Sequence, residues 1–315
     1  MAKPAILTIT LNPALDLSTE VDQVQPGKKL RCAVPTVNPG GGGLNVSRAL
    51  AHLGQGSVAL VALGGATGSE LARHLKAEGI TVIALEAPGD TRQSLSVTDR
   101  HSGVQYRFLL PGPVWSAGDQ ARLLTRLNSL SKPGTLAVIS GSQPPGLPAD
   151  FPRQMALALT GCGVVLDTSG PALEQAIARP IPGLAVLRMD SDEAEALAGH
   201  PLPTPQATAD FAETLRAKGA AATVIVARGA EGNVLVSAGL RLFARPPKVP
   251  VISAIGAGDS FVAGLVQAMA GKQGWPEALA LATASAAAAV MTPATELCRA
   301  ADVARLLPQV EISAL

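Results

Sequence analysis

The chain has 315 residues, of which 47% are hydrophobic, 3% aromatic and 16% charged, and its formal net charge is +1. This composition excludes a disordered chain, because disordered chains are rich in charge and poor in aliphatic residues. A near-neutral charge gives no general attraction for nucleic acid or anionic lipid, and two Trp, one Tyr and five Phe are too few for a base-stacking platform.

Short aliphatic runs alternate with helical patterns along most of the chain. The runs predict strands at 5–11, 57–63, 80–85, 135–140, 163–167, 184–187 and 222–227. The intervening patterns predict helices near 45–53, 67–78, 117–130, 150–161, 170–178, 191–198 and 206–218. A hairpin around 238–239 and two helices at 257–271 and 276–290 follow. Near-continuous apolar strands separated by helices indicate a single doubly wound α/β domain over residues 1–315, with a mostly parallel sheet covered on both faces.

Two segments, at about 17–38 and 91–111, interrupt this alternation. The second has alternating flanks around Ser102 and Gly103, which is typical of a hairpin with one polar face. Together the segments predict four short strands in a small separate sheet. Because open α/β sheets bind ligands beyond the carboxyl ends of their strands, we expect this sheet to form a lid there.

The cysteines and the apolar segments bear on location. Cys32, Cys162 and Cys298 lie far apart, which is typical of a reducing compartment and gives no structural zinc site. The apolar run before Asn12 is too short for a signal sequence, and the Ala-rich segment 278–291 is shorter than a membrane span. We therefore expect a cytoplasmic protein that binds neither nucleic acid nor membrane.

The segment Gly256-Ala257-Gly258-Asp259 opens the first of the late helices. A Gly-rich turn at a helix N-terminus points several backbone N–H groups in one direction, and that arrangement binds an anion such as a transferring phosphate. Asp259 could accept a hydroxyl proton while these amides stabilise charge on the phosphoryl group. The alternative is an ordinary acidic residue in the first turn of a helix.

Four consecutive glycines at 40–43 run into the helix that holds Asn45. Their entropic cost indicates that something approaches the chain closely. One interpretation is a polyol or phosphate against these glycines, with Asn45 binding its hydroxyls, and the other is a flexible hinge. Asp16 follows the first strand and could accept sugar hydroxyls, or it is a solvated turn residue. Neither glycine-rich segment fits a P-loop or a dinucleotide fingerprint.

These segments together resemble the ribokinase-like sugar kinases of the phosphofructokinase B family, nearly end to end, with the closest likeness to the phosphofructokinase branch. The matching segments are 29–32, 39–45, 51–54, 64–68, 91–93, 105–108, 140–142, 144–146 and 256–260. The resemblance implies a three-layer α/β/α fold with a small β-sheet lid. It also implies transfer of the γ-phosphoryl group of MgATP to a sugar hydroxyl.

The resemblance further implies a role for individual residues. Asp259 matches the catalytic base, and the residues that match the anion hole are Gly256, Ala257 and Gly258. The positions that match sugar-binding residues are Asp16, Gly41, Gly42, Asn45 and, near the same pocket, Ser142. The basic residues that match holders of the substrate's own phosphate are Lys29, Arg31 and Arg92, for which a solvated lid face is the alternative. Guanidinium groups suit such a phosphate geometrically.

The nucleotide half departs from the family. Arg188 stands where Lys is usual and Asp190 where Asn is usual, whereas Glu193 is kept, which implies a place near the Mg²⁺ water shell. Ala227 replaces a Ser or Thr that helps to bind nucleotide phosphates in the family. The residues that match the nucleotide-binding positions are Arg188, Asp190, Ala227 and Gly229. The segment 291–296 replaces a Gly-Thr-Arg-like turn near a monovalent-cation loop. A donor other than ATP and the question of K⁺ activation therefore stay open.

We expect an ATP- and Mg²⁺-dependent kinase of a phosphorylated ketohexose, with fructose 6-phosphate as the first choice. A 1-phosphofructokinase or a tagatose-6-phosphate kinase is the alternative within the same fold. From another class, the chain could be a catalytically weak sugar-phosphate-binding protein derived from a kinase. Family members with such lids dimerise through them, so a homodimer is also expected.

Overall fold

A computed structural model describes residues 5–293 and 296–315 of the chain. Its strands are β1 (Ile6–Thr10), β2 (Ala14–Val21), β3 (Thr36–Gly40), β4 (Val58–Leu63), β5 (Thr81–Glu86), β6 (Arg92–Asp99), β7 (Gln105–Leu109), β8 (Leu136–Ser140), β9 (Gly163–Asp167), β10 (Val186–Asp190), β11 (Thr223–Ala227), β12 (Asn233–Ser237), β13 (Leu240–Arg245) and β14 (Glu311–Ala314). Its helices are α1 (Gly42–His52), α2 (Gly65–Ala77), α3 (Ala117–Leu130), α4 (Phe151–Ala158), α5 (Gly170–Ala178), α6 (Ser191–Ala198), α7 (Pro205–Ala217), α8 (Ala257–Ala270), α9 (Trp275–Ala289) and α10 (Ala300–Leu306).

Among the described residues, the main sheet has ten strands in the order β14-β13-β12-β11-β10-β9-β8-β1-β4-β5. The strands from β11 across to β5 are parallel, and β12, β13 and β14 extend the sheet in antiparallel fashion. The chain winds outward from β1 through β4 and β5, and then returns to β8 on the other side of β1. This reversal creates a switch point at the carboxyl ends of β1 and β8, where open α/β sheets bind ligands. The predicted doubly wound sheet is confirmed.

Helices cover both faces of this sheet, because alternate residues of each strand project to opposite sides. In β8, Ala137 and Ile139 pack with the layer of α3 to α7, whereas Val138 packs with the layer of α1, α8, α9 and α10. Helices α8 and α9 approach closely, since a Cβ on Gly264 would lie 2.6 Å from Ser285 Oγ. Small residues therefore let an aromatic-poor chain fill three layers. Within residues 5–293 and 296–315, no helix has both the length and the apolar composition that crossing a bilayer requires.

The small sheet has four strands in the order β3-β2-β6-β7. Strand β2 is antiparallel to β3 and parallel to β6, and β6 forms the predicted hairpin with β7. The sheet extends beyond the expected segment 17–38, because β2 already begins at Ala14 and β3 continues to Gly40. Asp16 is paired with Asn38 of β3 and with Ser94 of β6. The lid sheet therefore runs directly into the segments that were expected to bind sugar.

Three parts of the chain differ from the sequence prediction. Strand β10 runs from Val186 to Asp190, so Arg188 lies within the strand instead of after the predicted strand 184–187. Its ladder with β9 and β11 lengthens it, and Arg188 is opposite Asp167. Helix α10 and strand β14 were not predicted from the sequence. Strand β14 is largely exposed and is held by pairing with β13, a long-range interaction that leaves no local pattern. The other predicted elements are confirmed to within a few residues.

The first turn of α1 leaves no room for a side chain at Gly43. A Cβ there would lie 2.5 Å from the carbonyl oxygen of Ile9 and 2.8 Å from Thr10 Oγ1. Alanine is favoured over glycine inside a helix by about 1 kcal/mol. Because the overlap outweighs this propensity, we expect Gly43→Ala to lower the free energy of unfolding by about 1–3 kcal/mol in urea titrations.

The matched control is Gly56→Ala, because a Cβ on Gly56 meets nothing within 4 Å. This variant should unfold at the urea concentration of the wild type or slightly above it. A Gly43→Ala protein that is as stable as Gly56→Ala contradicts the close approach of α1 to β1.

Candidate active site

The start of α8 is a cradle of backbone amides. Gly256 has a φ of +75°, in the left-handed region, and the helix begins directly after it at Ala257. A Cβ on Gly256 would lie 2.6 Å from Leu297 Cδ2, so packing also requires glycine here. The N–H groups of a first helical turn have no intrahelical acceptor and lie at the positive end of the dipole. The turn that the Gly-Ala-Gly sequence predicts is therefore present, with Asp259 inside it.

The carboxyl group of Asp259 is held across the cleft by α1. Asn45 Nδ2 donates a hydrogen bond of 2.9 Å to Asp259 Oδ2. Burial raises the pKa of Asp259 to about 7, although the Asn45 hydrogen bond and the charges of Arg188 and Arg48 oppose this rise, while the Asp167 carboxylate adds to it. A carboxyl group whose pKa lies near neutrality is suited to accept a proton from a hydroxyl group.

Arg188 lies against the amide cradle. A Cβ on Gly258 would be 3.2 Å from Arg188 Nη2, and Arg188 Nη1 donates a hydrogen bond of 3.1 Å to Asp167 Oδ1. Burial opposes the positive charge, but attraction to Asp167 raises the pKa of Arg188 above its ordinary value. The Nε atom of Arg188 is buried and has no hydrogen-bond partner among the described residues. This arrangement suits a phosphate oxygen, which would give Nε–H an acceptor.

The four glycines of 40–43 are approached by the chain itself. The carboxylate of Asp16 lies where a Cβ on Gly40 would be, and a Cβ on Gly42 would lie 2.5 Å from Ser140 Oγ. Gly41 has a φ of +123°, and a Cβ on it would lie 2.7 Å from Thr10 Cγ2. The close approach inferred from the sequence is therefore real, and protein atoms account for it. These contacts bring the carboxyl ends of β1 and β8 to the start of α1.

Asp16 lies in β2, an inner strand of the lid sheet. Burial raises the pKa of Asp16 above its ordinary value, against the hydrogen bond from Ser94 and the charges of Arg92, Arg107 and Arg48. Arg92 is partly buried beside it, and Arg92 Nε donates a hydrogen bond of 3.2 Å to the carbonyl oxygen of Asn12. A half-buried carboxyl group in a strand beside several arginines is a suitable acceptor for sugar hydroxyls, and its place in β2 differs from that of a solvated turn residue.

The structure brings together only part of the expected sugar-phosphate set. Ser142 joins it, since Asn12 Nδ2 donates a hydrogen bond of 3.1 Å to Ser142 Oγ at the end of β8. Lys29 and Arg31 lie in the exposed loop between β2 and β3. Their side chains form no hydrogen bond or ion pair with any residue in the described ranges, so no such contact ties them to Asp16 or Arg92.

A cavity of about 760 Å³ opens on the other side of the amide cradle. The expected nucleotide-binding residues Arg188, Asp190, Ala227 and Gly229 all line it, together with Ala257 and Gly258 of the cradle. Lys248 contributes a second cation to its wall. The turn that borders this cavity also carries Asp259, in the first turn of α8.

Ala227 lacks the hydroxyl group that Ser or Thr has at this position in the family, and the neighbouring Arg228 does not supply another polar group to the cavity. Its guanidinium is turned into the protein, where Nη1 donates a hydrogen bond of 2.7 Å to the carbonyl oxygen of Leu202 and Nη2 donates one of 2.7 Å to Glu231. Arg228 therefore anchors the loop after β11 and contributes no charge to the cavity. The segment 291–296, expected near a cation loop, includes residues 294 and 295, which lie outside the described residues.

Glu193 and Asp190 form a reciprocal cap at the start of α6. The Asp190 carboxylate accepts a hydrogen bond of 2.9 Å from the Glu193 N–H, and the Glu193 carboxylate accepts one of 2.9 Å from the Asp190 N–H. Burial is the main cause that raises the pKa of Glu193. In the described part of the chain, no group of three or more His, Cys, Asp or Glu residues is arranged to hold a metal. The carboxylates of Asp190 and Glu193 fit a site for Mg²⁺, which proteins commonly hold with one or two carboxylates together with the phosphates of a nucleotide.

Besides Lys248 in the cavity wall, three charged residues around Arg188, Asp16 and Asn45 were not predicted from the sequence. Asp167 is the last residue of β9 and accepts a hydrogen bond from Arg188. The positive charge of Arg107 in β7 lowers the pKa of Asp16. Arg48 of α1 lies close to Asn45. Asp167 could have been found, because it ends a predicted strand at the edge that carries the other site residues. Arg107 lies inside a segment that resembles the family, whereas nothing in the sequence marks Arg48.

Comparison with known proteins identifies the class first by fold. A ribokinase of Arabidopsis thaliana, solved with ribose and ATP, matches with a TM-score of 0.75 at 20% identity over 98% of this chain and 99% of that one. This likeness shows a ribokinase-like fold. A family model described as pfkB family carbohydrate kinase matches residues 9–301. The chain therefore belongs to the pfkB family of carbohydrate kinases, as the sequence predicted.

Several curated and solved proteins are similar to the chain over most of its length. The ATP-dependent 6-phosphofructokinase isozyme 2 of Escherichia coli is 36% identical over 303 residues, which are 96% of this chain and 97% of that protein. The 1-phosphofructokinase of Bacillus subtilis is 31% identical over 313 residues, 98% of this chain and all of that protein. The Escherichia coli phosphofructokinase-2 structure with fructose-6-phosphate matches with a TM-score of 0.90 at 34% identity, covering 97% and 99% of the two chains.

The raised pKa of Asp259 has a consequence for stability. The native state keeps the Asp259 proton up to about pH 7, whereas the unfolded state releases it near the ordinary value of 3.8. The wild type therefore loses stability as the pH rises between these two values. We expect Asp259→Asn to exceed the wild type in free energy of unfolding by on the order of 2 kcal/mol at pH 8, and by clearly less at pH 5.

Urea unfolding of both proteins at the two pH values measures this difference. The control is Asp22→Asn, which replaces a carboxylate whose side chain is 93% exposed, and its effect on stability should be small at both pH values. An Asp259→Asn protein whose advantage is equal at pH 5 and pH 8 contradicts the buried, proton-holding state of Asp259.

Proposed function

We propose that this carbohydrate kinase transfers the γ-phosphoryl group of ATP to a phosphorylated ketohexose, with fructose 6-phosphate as acceptor and fructose 1,6-bisphosphate as product. One observation carries the proposal. Asp259 lies in the amide-rich start of α8, where it accepts a hydrogen bond from Asn45 of α1, and the Ala257 and Gly258 residues of the same turn line the cavity that contains Arg188. The relatives named 6-phosphofructokinase isozyme 2 support the choice of acceptor.

In the proposed reaction the acceptor hydroxyl lies between Asp16 and Asp259. Asp16 and Asn45 bind sugar hydroxyls, and the ionised Asp259 accepts the proton of the attacking hydroxyl. The amides of Gly256, Ala257 and Gly258 then bind the phosphoryl oxygens as negative charge moves onto them. ATP would supply the phosphoryl group and leave as ADP, and Mg²⁺ held near Glu193 would neutralise part of the charge of its phosphates. Arg188 binds a phosphate oxygen while Asp167 keeps its guanidinium in place.

The charges around Asp16 support a phosphorylated acceptor. Arg92 and Arg107 both act on the Asp16 carboxyl group, which leaves more positive than negative charge under the lid. A remote phosphate on the sugar would bind there, and the binding energy of this unreactive group can orient the hydroxyl for attack. The same charges accept a 1-phosphate or tagatose 6-phosphate, and a relative named 1-phosphofructokinase keeps that alternative open.

The altered donor residues support a second candidate, a sugar-phosphate-binding protein with weak catalysis. Ala227 has no hydroxyl, Asp190 adds negative charge, and Arg228 points away from the cavity. The intact start of α8 favours catalysis. We therefore expect a working enzyme with a high KM for ATP.

The edge strand of the lid supports a dimer formed with a second copy of the chain. Strand β7 is exposed along its whole length, and Phe108, Leu109 and Leu110 are 53%, 64% and 53% exposed. Large exposed apolar side chains on an edge strand favour an interface. A structure described as the tetrameric inhibited form exists for Escherichia coli phosphofructokinase-2. The single-domain organisation and the cytoplasmic location stay predictions.

A matrix of donors and acceptors tests the proposed function. Purified protein is assayed with ATP, GTP, ADP and pyrophosphate against fructose 6-phosphate, fructose 1-phosphate, tagatose 6-phosphate and fructose, with Mg²⁺ and with either K⁺ or Na⁺. We expect the highest kcat/KM for ATP with fructose 6-phosphate. Asp259→Asn should lower kcat by at least about 10³-fold, because it removes the base and leaves the binding groups.

Calorimetric binding of fructose 6-phosphate to Asp259→Asn is the control, and it should stay within a few-fold of the wild type. Best turnover of unphosphorylated fructose contradicts the assignment of a phosphorylated acceptor. Binding of fructose 6-phosphate by a wild type that is inactive with every donor supports the binding-protein alternative.

The lid interface gives a separate prediction. Phe108→Glu should convert the dimer into a monomer in light-scattering measurements, because a charge placed inside an apolar interface is desolvated without a partner. The control is Leu157→Glu on α4, where an exposed leucine (46%) lies outside the lid sheet. A Phe108→Glu protein with the mass of the wild type, or a wild type that is already monomeric, contradicts dimerisation through the lid.

A further inference from the structure

Helix α1 carries a buried charge that the proposed reaction does not use. Arg48 is 4% exposed, although arginine is rarely buried without a reason. Its guanidinium group donates two hydrogen bonds to the carboxylate of Glu78, the residue after α2. The Nε–Oε2 distance is 2.6 Å and the Nη2–Oε1 distance is 3.0 Å. Such a two-point ion pair fixes both the position and the plane of the guanidinium group.

The remaining Nη1 group of Arg48 points toward the site. It donates a hydrogen bond of 3.0 Å to the carbonyl oxygen of Pro39, immediately before the four glycines. It also lies 3.5 Å from Asn45 Oδ1. Because a guanidinium group can only donate, the Asn45 atom that faces Arg48 has to be the oxygen. The amide nitrogen of Asn45 is thereby directed to Asp259, where it makes its bond of 2.9 Å.

Arg48 also lies between two acidic groups of the site. Its positive charge lowers the pKa of Asp16 and that of Asp259, in both cases against the larger effect of burial. The other groups that face Asp259 are Asn45, Asp167 and Arg188. Arg48 is the cation on the α1 side of Asp259, and Arg188 is the cation on the β10 side.

We propose that Arg48 is a positioning residue for phosphoryl transfer, which, clamped by Glu78, orients the Asn45 amide toward Asp259 and anchors the segment that leads into the glycines. This inference rests on the proposed function, because it assigns Asp259 as the base. Lysine cannot take over this role, since one ammonium group cannot reach Glu78 at two points and also reach Pro39 and Asn45. Arg48 therefore acts through Asn45, without contact with the substrate.

Steady-state kinetics of Arg48→Lys, Arg48→Met, Asn45→Ala and the double variant Arg48→Met/Asn45→Ala test this inference. We expect Arg48→Met to lower kcat by about 10- to 100-fold, the loss typical of a displaced catalytic group, with a smaller change in the KM for the sugar phosphate. In the Asn45→Ala background the same substitution should lower kcat less than about threefold, because residues that act through one another are not additive.

Arg48→Lys separates positioning from charge and protects the test against misfolding. It keeps a cation beside Glu78, so we expect folding close to that of the wild type but a clear loss of kcat. The control Arg216→Met breaks an ion pair with Glu213 on α7, away from the site, and should keep wild-type kinetics. Wild-type kcat in Arg48→Lys, or equal losses from Arg48→Met in both backgrounds, would overturn the inference.

A carbon-13 NMR titration of the Asp259 carboxyl group gives a readout that does not depend on turnover. Loss of the Arg48 charge and of the oriented Asn45 donor should raise the Asp259 titration midpoint in Arg48→Met, and less so in Arg48→Lys. An unchanged midpoint in Arg48→Met would overturn the inference. A raised midpoint in a protein whose wild type phosphorylates no sugar would support the orientation of Asn45 toward Asp259 by Arg48, but would refute the proposed function and with it a role in phosphoryl transfer.

Discussion

The hydrogen bond between Asn45 and Asp259 joins two helix starts that are 214 residues apart in sequence. Helix α1 begins after Gly41 and helix α8 after Gly256, and both glycines have positive φ angles. Their first-turn amides are thus free of a capping side chain within the described residues, in contrast to α3, where Ser116 caps the helix. Two uncapped N-termini that meet at one carboxyl group provide a concentrated positive field for phosphate groups. The cleft depends on holding these two ends together.

The packing of both helices is adjusted to this requirement. The glycines let α1 lie directly on β1 and β8, since Ile9 and Ser140 occupy the space of the missing side chains. Gly264 and Ser285 let α8 lie equally close to α9. The composition rich in Ala and Gly indicates a core of small residues. At these positions the small residues also allow the close contacts on which the geometry of the site depends.

The sequence predicted what is encoded locally. Alternating strands and helices, the turn at Gly256 and the acidic residue in the first turn of α8 follow from short-range patterns, and each agrees with the structure. The sequence did not predict which groups approach the four glycines. Asp16, Ser140 and Ile9 come close to them only in the tertiary fold. The direction of a long side chain is equally invisible in the sequence. Arg188 faces the amide cradle, whereas Arg228 turns inward, although both follow apolar residues in buried strands.

Charge balance connects the two halves of the cleft. Asp259 and Asp167 are acidic neighbours, with Arg188 and Arg48 as the cations that oppose the burial of Asp259. A donor with several phosphates adds negative charge next to Gly258, and this addition alone would favour the protonated form of Asp259. The base would then be neutral when it is needed. Mg²⁺ carried by the donor would neutralise part of this charge, and Arg188 would oppose the remainder, so the metal–nucleotide complex would favour the protonated form of Asp259 less than the free nucleotide would. The Asp190 carboxylate would increase the dependence on the metal, because it adds one more negative charge to the same cavity.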